Sequence, residues 1–149
     1  MKQFLVVLAL LFSSQWLVAQ KIAASEVPQN VKSTLVKSYN GKGVVWSKES
    51  AGYEASYKQN GKEISLVIDT SGKIVETETE IEKSELPASI LEVLKTDYKD
   101  YKLEEAAKIV AADNAITYEA EVEKGEDTFD LIFDSAGKLL SKESKEDHN

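Results

Sequence analysis

The sequence predicts an α+β protein built as a tandem duplication, each copy a helix followed by a four-stranded antiparallel meander. Two proline-opened amphipathic segments lie 59 residues apart. A second set of matching residues downstream lies 65 apart, and turn signals punctuate β-rich stretches at corresponding places in both halves. A repeat of this kind fixes architecture before any local reading does.

The first helix is expected in VPQNVKSTLVKSY, opened by Val27-Pro28, and the second in LPASILEVLKTDY, opened by Leu86-Pro87. Pro28 matches Pro87, Val31 matches Ile90, Leu35 matches Leu94 and Tyr39 matches Tyr98. Proline suits the first helical position, where its missing N–H leaves no bond unmade. Apolar residues recurring every four positions share one helical face. Each helix should run three to four turns.

Strands are expected at 44–49, 53–59, 62–69 and 73–80, separated by Ala51-Gly52, Asn60-Gly61 and Ser71-Gly72. Asn-Gly between β-rich runs is a strong hairpin signal. The second copy repeats the pattern at 105–112, 115–123, 127–134 and 138–142. Leu103 to Ala107 (LEEAA) carries helical propensity that competes with the first of these. Tyr53-Glu54-Ala55 matches Tyr118-Glu119-Ala120, and Asp69-Thr70-Ser71-Gly72-Lys73 matches Asp134-Ser135-Ala136-Gly137-Lys138. The repeats are therefore placed at 26–83 and 84–143, with a polar tail at 144–149.

Residues 1–19 read as a signal peptide: Lys2, then the apolar run Phe4 to Phe12, then Leu17-Val18-Ala19 before the cut. That run is too short for a membrane span, which needs about 20 apolar residues. The expectation is a periplasmic or secreted protein with no membrane insertion after cleavage. The sequence holds no Cys, so stability rests on burial without disulfides.

The chain carries 26 acidic residues against 18 basic ones, for a formal charge of −8, and every basic residue is Lys. An acidic surface without the bidentate guanidinium disfavours nucleic acid and anionic membranes as partners. It leaves open a basic protein or peptide, or a divalent cation.

The strongest local feature is alternating acid. Glu76, Glu78, Glu80 and Glu82 are interleaved with Val75, Thr77, Thr79 and Ile81, and Glu119, Glu121 and Glu123 form a second row. Alternate residues of a strand share a face. Each row is either a solvated face opposite the core or an anionic stripe for a basic partner or a cation, with weak calcium binding as the alternative function. A one-residue slip in register would turn either row over, so the sequence leaves their relative side open. Trp46, Tyr53 and Tyr57 are the aromatic candidates for a partner site, against an ordinary packing role. Trp46 has no aromatic counterpart in the second copy. The partner-site candidates are thus Trp46, Tyr53, Tyr57, Glu76, Glu78, Glu80, Glu119 and Glu121.

Asp69-x-Ser71-Gly72 and Asp134-x-Ala136-Gly137 resemble the opening of a calcium loop without its full ligand series, and an Asp-capped turn accounts for both. Catalytic parts are missing. His148, the sole histidine, stands one residue from the end, and without Cys there is neither a nucleophile–base pair nor a zinc ligand set. No enzyme and no cofactor are expected.

The leader, the two proline-started helices and the Asp-x-x-Gly-Lys turns at Asp69 and Asp134 together resemble the PepSY-like, or β-lactamase-inhibitor-like, family of exported bacterial proteins. The resemblance implies an eight-stranded sheet carrying two helices on one face, with the other face open to a partner. The cysteines of disulfide-bonded β-lactamase inhibitors are absent, and no functional residue carries over. The expected function is an exported, non-catalytic binding module holding a protein or peptide on its open face, in an inhibitor-like manner.

Overall fold

A computed structural model describes residues 20–39 and 42–145. The expected leader and the last four residues of the tail, His148 among them, lie outside the described residues.

Nine strands form one sheet, ordered as they occur in the chain, with every neighbouring pair antiparallel. β1 is Gln20–Ile22, β2 Val45–Glu49, β3 Gly52–Gln59, β4 Lys62–Ile68 and β5 Ile74–Glu80. β6 is Lys102–Ala111, β7 Ile116–Lys124, β8 Asp127–Asp134 and β9 Leu139–Lys145. Helix α1 (Gln29–Ser38) connects β1 to β2, and α2 (Ala88–Asp97) connects β5 to β6. A helix followed by four antiparallel strands therefore occurs twice, and the α+β expectation holds.

The strand count corrects the expected eight. β1 has only three residues, paired through Lys21 opposite Ser47, and adjoins the expected leader, where no alternation could reveal it. It holds the place before α1 that the end of β5 holds before α2.

Three further expectations shift. Each helix has ten residues, just under three turns at 3.6 residues per turn. Pro28 and Pro87 precede the helices as N-caps, with ψ of 146° and 141°. Their carbonyls accept the first helical bonds, from Lys32 N–H at 3.1 Å and Leu91 N–H at 3.1 Å. β6 begins at Lys102 and runs through LEEAA despite its helical propensity, because β7 pairs along the segment and β5 joins it from Ala107. Ser144 and Lys145, expected in the tail, belong to β9.

The core lies under the helices in two clusters. Val27, Val31 and Leu35 pack on Trp46, Ala55, Tyr57, Leu66 and Ile68. Leu86, Ile90 and Leu94 pack on Ala106, Ala120, Val122, Leu131 and Phe133. The clusters share no residue, and the side chains of β5 between them are half-buried or exposed.

Volume is traded between corresponding positions. Trp46 faces Ala55 across the sheet, where the second half sets Ala106 against Ala120. The large side chain moves elsewhere: Ile64 and Ile68 correspond to Phe129 and Phe133. Tyr57 corresponds in turn to Val122, so the two cores are packed with different sets of side chains.

The Asp-x-x-Gly-Lys turns latch the helices to the sheet. Asp69 Oδ1 accepts the Ser71 and Lys73 N–H groups at 2.9 and 3.0 Å, and Asp134 Oδ1 accepts those of Ala136 and Lys138, both at 2.9 Å. The folded turns then meet the helices. Asn30 Nδ2 donates to Thr70 O at 2.8 Å, Thr34 Oγ1 to Gly72 O at 2.6 Å, and Ser89 Oγ to Ser135 O at 3.0 Å. These carboxylates serve their own turns, which is the capped-turn reading of both motifs.

Candidate functional site

Pairing register decides which side chains share the uncovered face. Tyr57 and Leu66 point into the core, so Ser56, Ser65 and Val67 project from the other side. Ser65 stands opposite Glu78 and Val67 opposite Glu76, which puts the β5 glutamates on that open face. Ala120 and Val122 are core residues, so Glu119 and Glu121 are open-face residues too. The two acidic rows therefore share one face, a point the sequence left open.

β6 separates the rows. Glu80 and Glu119 both stand opposite Ala107, one from each side, and Glu78 stands opposite Ile109. Ala107 is only 7% exposed although no helix covers it, because the long side chains around it close over its methyl group. A shallow polar depression of about 250 Å³ lies here, lined by Ser65, Glu78, Glu80, Glu105, Ala107 and Glu119, with the ammonium groups of Lys58 and Lys145 at its margin.

Half-buried carboxylates in such a place hold their protons. Burial, then the charges of Glu54, Glu76 and Asp130, push Glu78 up to about 7. Burial, then Glu78 and Asp130, push Glu119 up to about 8. Burial also raises Glu76 and Asp130. Lys145 supplies the opposing charge: it hydrogen-bonds Glu121 and lies 3.3 Å from Asp130 Oδ1, an ion-pair approach too oblique for a hydrogen bond. Burial works against its ammonium, yet the two carboxylates outweigh burial and hold it above the ordinary lysine range. On the first-half side, Ser47 Oγ donates to Glu54 at 2.7 Å, and the Ser56 and Ser65 hydroxyls bond at 2.8 Å.

Glu76, Glu78, Glu80, Glu119 and Glu121 are thus brought together. Glu82 falls off the strand and caps a short 3₁₀ turn (Lys83–Glu85), its N–H donating to Glu85 Oε2 at 2.7 Å. The aromatic candidates lie on the opposite side. Trp46 and Tyr57 are each 5% exposed beneath α1, and Tyr53 packs half-buried against the same cluster. Tyr57 stacks on Tyr39 with ring centroids 4.0 Å apart. Asp130 and Lys145 were missed. Asp130 stands between Leu131 of the core and Phe129 packed against it, where strand alternation signals it, whereas Lys145 lies in the polar stretch that the sequence marks as tail. Among the described residues, no three carboxylates converge as a metal-binding group.

The geometry can be set beside known proteins. The profile of the family described as "Putative beta-lactamase-inhibitor-like, PepSY-like" matches twice, over residues 10–76 and 52–141. This chain belongs to the PepSY-like family. Solved structures share the PepSY-like fold at low identity. A protein of Bacteroides eggerthii described as a putative periplasmic protein aligns with a TM-score of 0.70 and 20% identity, covering 79% of this chain and 88% of that one. A DUF2874 family protein of Bacteroides uniformis gives 0.69 and 19%, covering 79% and 89%. A BLIP-like protein of Bacteroides fragilis gives 0.62 and 22%, covering 83% and 89%. Comparison with curated proteins returns no match. Among the described residues, no helix is long and apolar enough to cross a membrane.

Proposed function

We propose that this PepSY-like chain is an exported, non-catalytic binding module, formed by duplication of one unit, whose open sheet face holds a protein or peptide partner presenting basic side chains. The observation that carries the reading is the convergence of the two glutamate rows on the one face that no helix covers. Charge at such a face steers encounter and fixes register, and a lysine or arginine of the partner can replace the protons that Glu78 and Glu119 retain. Export rests on the apolar leader and on the periplasmic description of one relative. An inhibitor-like mode, in which a sheet face covers another protein, rests on the BLIP-like description of another.

The test is capture of partners from periplasm and culture supernatant on the immobilised chain, repeated with two variants. Glu119→Lys places a positive charge on the open face, and Val36→Lys alters the outer side of α1, where Val36 is 62% exposed. A partner retained by wild type and Val36→Lys but lost by Glu119→Lys supports the proposal. A partner lost only by Val36→Lys moves the binding surface to the helices, and one indifferent to both removes the open face from consideration.

A further inference from the structure

We propose that the joint between the two halves, the β5–β6 ladder, is a pH-sensitive hinge that tightens when the carboxylates opposed across it are protonated and loosens when they ionise. At the joint the sheet runs between two separate cores. The two cores share no residue, and β5 carries no fully buried side chain. Five registered pairs, from Glu76 opposite Ala111 to Glu80 opposite Ala107, join the halves in the sheet.

The charges meeting over this ladder are nearly all of one sign. β5 contributes Glu76, Glu78 and Glu80, with Glu54 on β3, Glu63 on β4 and, further out, Glu49 on β2 behind them. From the second half come Glu105 on β6, Glu119, Glu121 and Glu123 on β7, Asp130 on β8 and Glu143 on β9. Four ammonium groups share the face: Lys21 on β1, opposite Ser47, and Lys102 on β6, opposite Glu123, stand outside the depression, and two border it. Lys58 lies 4.0 Å from Glu63 with both side chains mostly exposed, and Lys145 is engaged by Glu121 and Asp130 on the far side of β7. Neither pairs with Glu78 or Glu119, which face each other diagonally over the Ala107 methyl group. Like charges in this partly dry setting repel far more than in water. Glu54 and Glu76 act on Glu78 from its own side, whereas Glu78 acts on Glu119 and Asp130 on Glu78 across the ladder, and separating the halves relieves that cross-ladder part. Burial first and these charges second raise both groups, Glu78 to about 7 and Glu119 to about 8.

Hydrogen exchange of single amides reads the hinge directly. Ile81 N–H donates to Ala106 O and Ala112 N–H to Val75 O, both at 2.9 Å, and these bonds bracket the joint. Amides of the β3–β4 ladder serve as the reference. After correction for intrinsic base catalysis, raising pH from 6 to 8 should lower protection at Ile81 and Ala112 about tenfold more than at the reference, the equivalent of one pKa unit. In the Glu78→Gln/Glu119→Gln variant, checked for native circular dichroism, the excess should vanish. Should that variant fail to fold, Glu78→Gln alone should reduce the excess. Equal loss at joint and reference, or an excess that survives the substitutions, overturns the proposal.

Discussion

Trp46 and Ala106 occupy equivalent pairing positions and show how single residues are fitted to a shared scaffold. Trp46 fills the space under α1 at 5% exposure, while Phe129 and Phe133 fill the corresponding space under α2. Trp46→Ala should therefore cost about 3–5 kcal/mol, the usual range for emptying a large aromatic site in a core that cannot collapse, measurable by urea denaturation. A loss below about 1 kcal/mol would mean that the indole is not packed under the helix. On the open face the residue-scale effect is electrostatic. Glu78 and Glu119 have folded pKa values above the ordinary 4.5. Their contribution to stability is thus fully present below about pH 4.5 and is lost as pH rises through 7 and 8. Glu78→Gln should leave the melting temperature unchanged at pH 5 and raise it by several degrees at pH 8. Asp69 and Glu85, lowered chiefly by hydrogen bonds, act oppositely and withdraw stability as pH falls through the acidic range.

Helices depend on the turns that grip them. Gly72 and Gly137 hold φ of +88° and +86° in the two Asp-x-x-Gly-Lys turns, and a Cβ on Gly137 would meet the Ser89 backbone at 3.0 Å. Gly137→Ala combines backbone strain with that contact. It should destabilise by more than about 1 kcal/mol, with loss of the Ser89–Ser135 hydrogen bond visible in the amide spectrum. An unchanged stability would show that α2 is not seated on this turn. The elements themselves were largely legible. Hairpin signals and alternation located eight strands, and four-residue periodicity located both helices, because each follows from local chemistry. Two features were hidden: β1 is too short to carry a pattern, and β6 starts earlier than expected because pairing with β7 overrides the helical propensity of LEEAA.

Across the whole molecule, one sheet carries two cores on one side and one continuous acidic field on the other. The glutamate rows stood out in the sequence because alternation is local. Their meeting did not, since it depends on the register of β5 on β6, a pairing between strands separated by α2, and on that of the β6–β7 hairpin. Asp130 and Lys145 join the site through the β7–β8 and β8–β9 hairpins. Carboxyl carbon-13 NMR titration of the intact chain, assigned through Glu78→Gln and Glu119→Gln, tests this arrangement most directly. Glu78 and Glu119 should titrate near 7 and 8, well above the ordinary glutamate range, each displaced when the other is substituted. If both follow the exposed glutamates and ignore each other's substitution, the rows do not share a half-buried face, and the account of this surface fails.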